Sequence, residues 1–385
     1  MRTSEINSQA FGPSTIREAA DATRDPILVG TPWRRGYGPW QVARLRDVRA
    51  VLVHPGTTTD DLAFRVFSRF RERHGGVDSI FRLSRQISRA HRTPNDAERM
   101  DAITVTKRLL ECLPAQDFRS PLAALVSSGE TEADAMAMAV QKPIMEWRAA
   151  ALGINAALGQ EIEIDSIDIL ASLDRTAIPD FIKLEPKAAR IMGNLSAMNV
   201  GWSAGQKIPL IHLISPAFLA IEPLSKTSGL MLAHLADNPD LQETLRNRAE
   251  LRAAYLQEVE RLLGAVRYVA RQIGPAGLDL GDMHLPPHSL VSCDLAAANR
   301  DPELWQDPEA FRFDRARLQT ATFSFGSLAC TGSQLSRLFL STLLDAALET
   351  VRLAAPFTAK PDDRRFARWS MIRGYESCRL RFAAI

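Results

Sequence analysis

Up to Arg271, apolar residues return every three or four positions along much of the chain, with Ala, Leu, Arg and Glu abundant between them. That spacing gathers apolar side chains on one face of a helix and predicts a mostly helical body. The clearest stretches are Ala133 to Leu152 and Leu230 to Leu263. Pro239, after Asn238, divides the second stretch into two helices, with Asp237 and Asn238 available as turn or cap residues. Nearer the start, Trp33, Tyr37, Trp40, Val42 and Leu45 stand among turn residues. They predict short strands leading into a helix over Asp47 to Val53.

Beyond Arg271 the texture changes. Gly274, Pro275, Gly277, Gly281, Pro286 and Pro287 separate short apolar pieces. Ser289 to Leu295 reads as a strand or a buried turn into a helix, and Pro302, Pro308 and Phe311 mark a meandering loop. A last helix is expected from near Cys330 through Leu348, followed by a strand pair around Leu380 and Phe382. The fold class expected is mainly α with small β-sheets, and no repeat or flexible linker divides the chain.

Hydrophobic residues at 46% and charged residues at 24% are those of a globular protein. The net charge of +2, without a long basic block, argues against a nucleic-acid binder. Cys112, Cys293, Cys330 and Cys378 show no paired spacing, so a cytoplasmic, reducing setting is expected. The first residues lack the apolar run of a signal peptide. Ile208 to Ile221 is interrupted by His212, Ser215 and Pro216 and is too short to span a bilayer.

Three pieces of the last third of the chain carry chemistry. Glu258 and Arg261 share one helix face and can pair, although alone they read as a solvated ion pair. Ala298-Asn299-Arg300-Asp301-Pro302 opens the proline-containing meander. Phe323 to Gly332 is a glycine-containing loop that delivers Cys330 to the expected start of a helix, where free amides and the positive dipole end favour a thiolate. Such a sulfur suits an axial haem ligand. The other three cysteines read as small buried hydrophobes.

Together these residues resemble the cytochrome P450 family. Its ExxR motif matches Glu258 and Arg261, and the third member of that network matches Arg317. Its cysteine loop matches Phe323, Gly326, Cys330 and Gly332, and a bacterial ANRDP run stands at residues 298–302. The resemblance implies a P450-like fold forming one haem-thiolate domain over residues 1–385. It also implies haem b held through Cys330 as metal ligand, with Phe323, Gly326 and Arg271 binding the cofactor, Arg271 at a haem carboxylate. A small-molecule substrate, ferredoxin and ferredoxin reductase as electron source, and a place in bacterial secondary metabolism follow from the same resemblance.

Departures from the family pattern shape the expected chemistry. Counting back from Pro239, the acid of the central helix is Glu222, and the threonine after it is replaced by Pro223. A proline there offers no hydroxyl and is expected to bend the helix. Glu222 is the expected proton donor and catalytic residue, with Ser225 and Thr227 as possible substitutes. Leu328 stands where the cysteine loop usually has a basic residue, and an early His/Arg pair is not evident. His91, Arg92 or Arg99 are the alternatives. Phe64, Phe67, Phe70, Phe81, Phe218 and Trp202 fit either a substrate pocket or the core. Three readings follow: an external-reductant monooxygenase, a peroxide-using variant, and a non-catalytic, haem-less binding or partner protein.

Overall fold

The computed structural model describes residues 39–59, 75–89, 97–174, 178–198, 208–315, 319–358, 360, 363–367 and 371–385. Trp33, Tyr37, Phe64, Phe67, Phe70, His91, Arg92, Trp202 and Arg317, named above, lie outside them. In chain order, strand β1 (Trp40–Val42) leads into helix α1 (Leu45–Val53), then β2 (Thr58–Thr59), α2 (Asp78–Arg89), α3 (Ala97–Cys112) and α4 (Arg119–Val126). Next come β3 (Thr131–Asp134), a wide π-helical turn (Met136–Gln141), α5 (Lys142–Leu152), α6 (Ala156–Asp174) and α7 (Ile178–Ala197). A second π-helical segment, Ile214–Leu219, runs into the central helix α8 (Ile221–Asp237), followed by α9 (Pro239–Asn247) and α10 (Arg252–Leu263). Strands β4 (Tyr268–Gln272), β5 (Leu278–Leu280), β6 (Met283–Leu285) and β7 (Leu290–Asp294) precede the short α11 (Leu295–Ala298). The chain closes with α12 (Ser333–Thr350), β8 (Val351–Ala354), β9 (Arg364–Phe366) and β10 (Tyr375–Ala384).

Helices dominate and the sheets are small, as expected. One sheet has the order β1-β7-β4-β2, with β1 parallel to β7 and Val42 opposite Cys293. In a second, β10 pairs with β3, β8 and β9, so the tail is one long strand with three partners and not a simple pair. Ala133 and Asp134 belong to β3 and not to a helix, because their backbone bonds are taken by Leu380 and Arg379. The stretch after Pro239 forms two helices, since Arg248 turns extended (φ −133°) and a short 3-10 turn over Ala249–Leu251 intervenes before α10.

Helix α8 is buried on nearly every side, the mark of a core helix. It accommodates the wide turn Met136–Gln141 through Gly229: a Cβ there would lie 2.1 Å from the Met136 sulfur. Near its end, buried His234 stacks on Phe311 (centroids 4.1 Å) and lies 3.2 Å from the Tyr255 hydroxyl. Burial pushes its pKa down to about 4, with Asp237 opposing. Cys293 and Cys378 are core residues and Cys112 is half-buried, as expected of small hydrophobes. Among the described residues, no helix is long and apolar enough to cross a membrane.

Two stability predictions follow. Gly229→Ala is expected to cost about 1–3 kcal/mol through overpacking, and Met136→Ala in the same chain should relieve part of it in urea unfolding. A buried neutral His234 releases stability as acid protonates the unfolded chain first. The protein should therefore lose about 3 kcal/mol as pH falls from the ordinary histidine value of 6.5 towards about 4, and His234→Phe should flatten that limb of the pH–stability curve.

Candidate functional site

The pair Glu258–Arg261 on α10 is fully buried, which overturns the reading of a solvated surface ion pair. Arg261 meets the Glu258 carboxylate through two nitrogens at 2.8 and 2.7 Å and donates to the carbonyls of Asn299, Pro308 and Ala310. The third arginine here is Arg315, whose Nε lies 3.1 Å from Glu258 Oε2, while Arg317 falls outside the described residues. Arg315 also donates to the Gln306, Asp307 and Ala310 carbonyls. The Trp305 ring lies 5.1 Å from the Arg261 guanidinium and 5.9 Å from that of Arg315. Nothing in the local sequence separates Arg315 from Arg317; the choice is set by the path of the meander.

The 298–302 run is a hub of buried polar bonds. Asn299 accepts from the Ala321 amide and donates to the Thr322 hydroxyl, and Asp301 accepts from the Leu45 amide at the start of α1. Arg300 donates to the Ala296 and Leu262 carbonyls and meets Glu309. Two residues after Glu258, Glu260 accepts from the Thr320 hydroxyl at 2.5 Å and from Arg337 at 2.8 Å. One carboxylate thus grips the chain on both sides of the cysteine loop, a role with no warning in the sequence.

Within the loop, Ser324 (φ +63°) and Gly326 (φ +74°) adopt left-handed backbone. A Cβ on Gly326 would lie 2.8 Å from the Leu52 carbonyl oxygen, so glycine is what lets the loop touch the end of α1. Phe323 carries Arg337 over its ring at 4.9 Å, and the Cys330 amide donates to the Phe323 carbonyl. The helix after the loop begins at Ser333, later than expected, so Cys330 precedes it by three residues. The Gly332 amide points at Cys330 Sγ (3.3 Å). Burial among surrounding protein pushes the thiol up, while that amide, Arg99 and Arg337 pull it down. The loop alone therefore does not favour the thiolate; a coordinated metal would deprotonate the sulfur outright.

Cys330 is nonetheless accessible, because it faces a cavity of about 970 Å³. The cavity is lined by the cysteine loop, by α8, by α3 and by β4. Phe323 and Leu328 line it, whereas Gly326 does not. From α8 come Pro223, Leu224 and Thr227. The break in the central helix falls at Ala220, where the π-helical segment ends, its amide bonding five residues back to Ser215. A ring at position 223 is incompatible with an ordinary helix through Leu219, and the wide turn absorbs it. Thr227 offers a hydroxyl to the wall, but that group donates to the Pro223 carbonyl and accepts from the Ala265 amide.

Glu222 is not a lining residue. One position from Pro223 on a helix turns its side chain by roughly 100°, and its Oε1 lies 3.0 Å from Lys226 Nζ, both buried. The structure does not bring the expected proton donor to the cavity. Phe218 is core, stacked under Arg148 (4.8 Å), and Phe81 packs against the core edge.

Of the buried arginines that line the cavity, Arg261 has its carboxylate in Glu258, whereas Arg271 and Arg99 do not have one. Among the described residues, the side chain of Arg271 on β4 bonds only its neighbour's carbonyl, Ala270, and leaves Nε without a partner. Arg99 on α3 donates at 3.0 Å to the carbonyls of Ser327 and Ala329. Those carbonyls flank Leu328, so a cation reaches the loop from outside where the loop sequence lacks one. Burial pushes both guanidinium pKa values down; Cys330 opposes this at Arg99, while at Arg271 Cys293 opposes it and the charge of Arg99 adds to it. No carboxylate accepts a hydrogen bond from either among the described residues. Buried cations in that state call for an anion.

Comparison with known proteins agrees with this geometry. The family model described as Cytochrome P450 matches residues 217–372, from the central helix to beyond the cysteine loop. Cytochrome P450 107B1 of Saccharopolyspora erythraea is 29% identical over 194 residues, 49% of this chain and 47% of that protein. Pulcherriminic acid synthase of Bacillus subtilis is 26% identical over 163 residues, 40% of each. The matched stretch thus spans less than half the length of these curated relatives. The crystal structure of CalO2 superposes with a TM-score of 0.67 at 20% identity, covering 97% of this chain and 98% of that one, which shows the fold.

Glu258→Gln is expected to destabilise the protein by about 3–5 kcal/mol, because it leaves the fully buried Arg261 guanidinium, and the half-buried one of Arg315, without their carboxylate. Urea unfolding of the variant against the parent measures this.

Proposed function

We propose that this chain, whose residues 217–372 match the Cytochrome P450 family model, has the activity of a haem-thiolate oxidoreductase that oxidises a small organic molecule in bacterial secondary metabolism. The residues around the cavity fit haem b. Cys330 presents its sulfur there as metal ligand, the Gly332 amide supports charge on that sulfur, and Phe323 supplies a ring on the loop. Arg271, with its orphaned Nε, and Arg99 are the donors for the haem carboxylates. Gly326 acts by shaping the loop. When bound, haem supplies the redox chemistry by which oxygen or peroxide is activated.

The single observation that carries this reading is the shared cavity: an accessible Cys330 and two buried arginines short of an anion. The chain's own contribution to proton handling is non-standard. Pro223 gives the wall no hydroxyl or amide proton, and the Thr227 hydroxyl is already committed to Pro223. Glu222 acts as the proton donor only if it leaves Lys226. Protons for the reaction then come from water or from an acidic group on the substrate itself. Electrons come from an external ferredoxin and ferredoxin reductase, unless peroxide replaces them. The four free cysteines support a cytoplasmic setting.

The protein purified with haem supplied should bind it and, once reduced under carbon monoxide, show a thiolate-type Soret band that Cys330→Ser abolishes. Failure to take up haem would favour the non-catalytic reading. Arg271→Leu and Arg99→Leu should each weaken haem retention by roughly 10- to 100-fold, the value of a charged hydrogen bond. Turnover with peroxide alone, compared with turnover with reductant and redox partners, separates the two oxidant routes.

A further inference from the structure

Glu222 and Lys226 stand one helical turn apart on the side of α8 away from the cavity, with side-chain exposures of only 3% and 5%. In water such a pair contributes little, but here neither charge has solvent to fall back on. The Lys226 stem is boxed in: a Cβ on Gly374, whose φ is +140°, would lie 2.5 Å from Lys226 Cβ. The other charged groups bearing on Glu222 are Glu163 of α6 and Glu376 of β10, both of its own sign. Each of these has its own arginine, Arg148 at 2.6 Å from Glu163 and Arg365 at 3.0 Å from Glu376. Lys226 is therefore the one cation in contact with Glu222 among the described residues. Burial pushes the Glu222 carboxyl up, and Lys226 pulls it down.

We infer that Lys226 is a positioning residue that holds Glu222 as a carboxylate on the back of the central helix, latched away from the cavity. Its relevance to oxygen chemistry rests on the reading above, but the latch itself does not. Its test uses no haem, so the two fail separately.

Thermal unfolding of the parent, Lys226→Met and Lys226→Met/Glu222→Gln is compared between about pH 5 and about pH 8. A lone buried Glu222 binds its proton more tightly in the folded than in the unfolded chain. Its stabilising effect is complete below the ordinary carboxyl range and is lost as pH rises through the raised folded value. The melting temperature of Lys226→Met should therefore fall away from the parent as pH rises, by roughly 2 °C for each tenfold gain in proton affinity. The double variant should keep a constant gap. A pH-independent gap in Lys226→Met, or the same slope in the double variant, would overturn the inference. Should Lys226→Met fail to fold at any pH, folding of the double variant supports the latch. Failure of both shows that Lys226 acts by packing and overturns it.

Discussion

A single carboxylate, Glu258, neutralises the fully buried Arg261 guanidinium and the half-buried one of Arg315. Such an arrangement is costly to assemble, and removing one partner is costlier still. Its value is geometric. Arg261 and Arg315 spend their remaining donors on backbone carbonyls of the meander, which has little regular structure of its own. Glu260, on the same helix, then fixes Thr320 before the cysteine loop and Arg337 after it. The position of Cys330 is thus inherited from α10, which lies almost 70 residues earlier in the chain.

Much of this was legible because the motifs are local. The ExxR pair, the 298–302 run and the cysteine loop are short strings whose order survives whatever the fold does between them, and the helical body is written in plain apolar periodicity. What was hidden depends on long-range meetings. Arg315 and Arg317 are indistinguishable two residues apart, and burial of Glu258 depends on a loop some 50 residues away that sequence reasoning left irregular. Ala133 and Asp134 read as helix until β10 claimed their backbone. Glu222 lies on the central helix, but spacing along a chain does not say which way a helix residue faces or that a lysine one turn on will hold it.

Compensation is a recurring theme around the cavity. Leu328 removes a cation from the cysteine loop, and Arg99 brings one to the carbonyls on either side of it. Arg271 approaches the same space from a strand. A charge requirement can be met from any element that reaches the place, and so a motif read one residue at a time understates what the folded site retains.

The proline in the central helix has an effect beyond the hydroxyl it lacks. The backbone has been rebuilt around its ring: the preceding turn is widened, and Ala220 hydrogen-bonds five residues back to Ser215. Threonine at position 223 would arrive with an amide of its own, seeking the Leu219 carbonyl in a helix wound for something else. The usual side chain cannot simply be reinstalled by one exchange, because the register of the turn and the residue at 223 are adapted to each other and would have to change together.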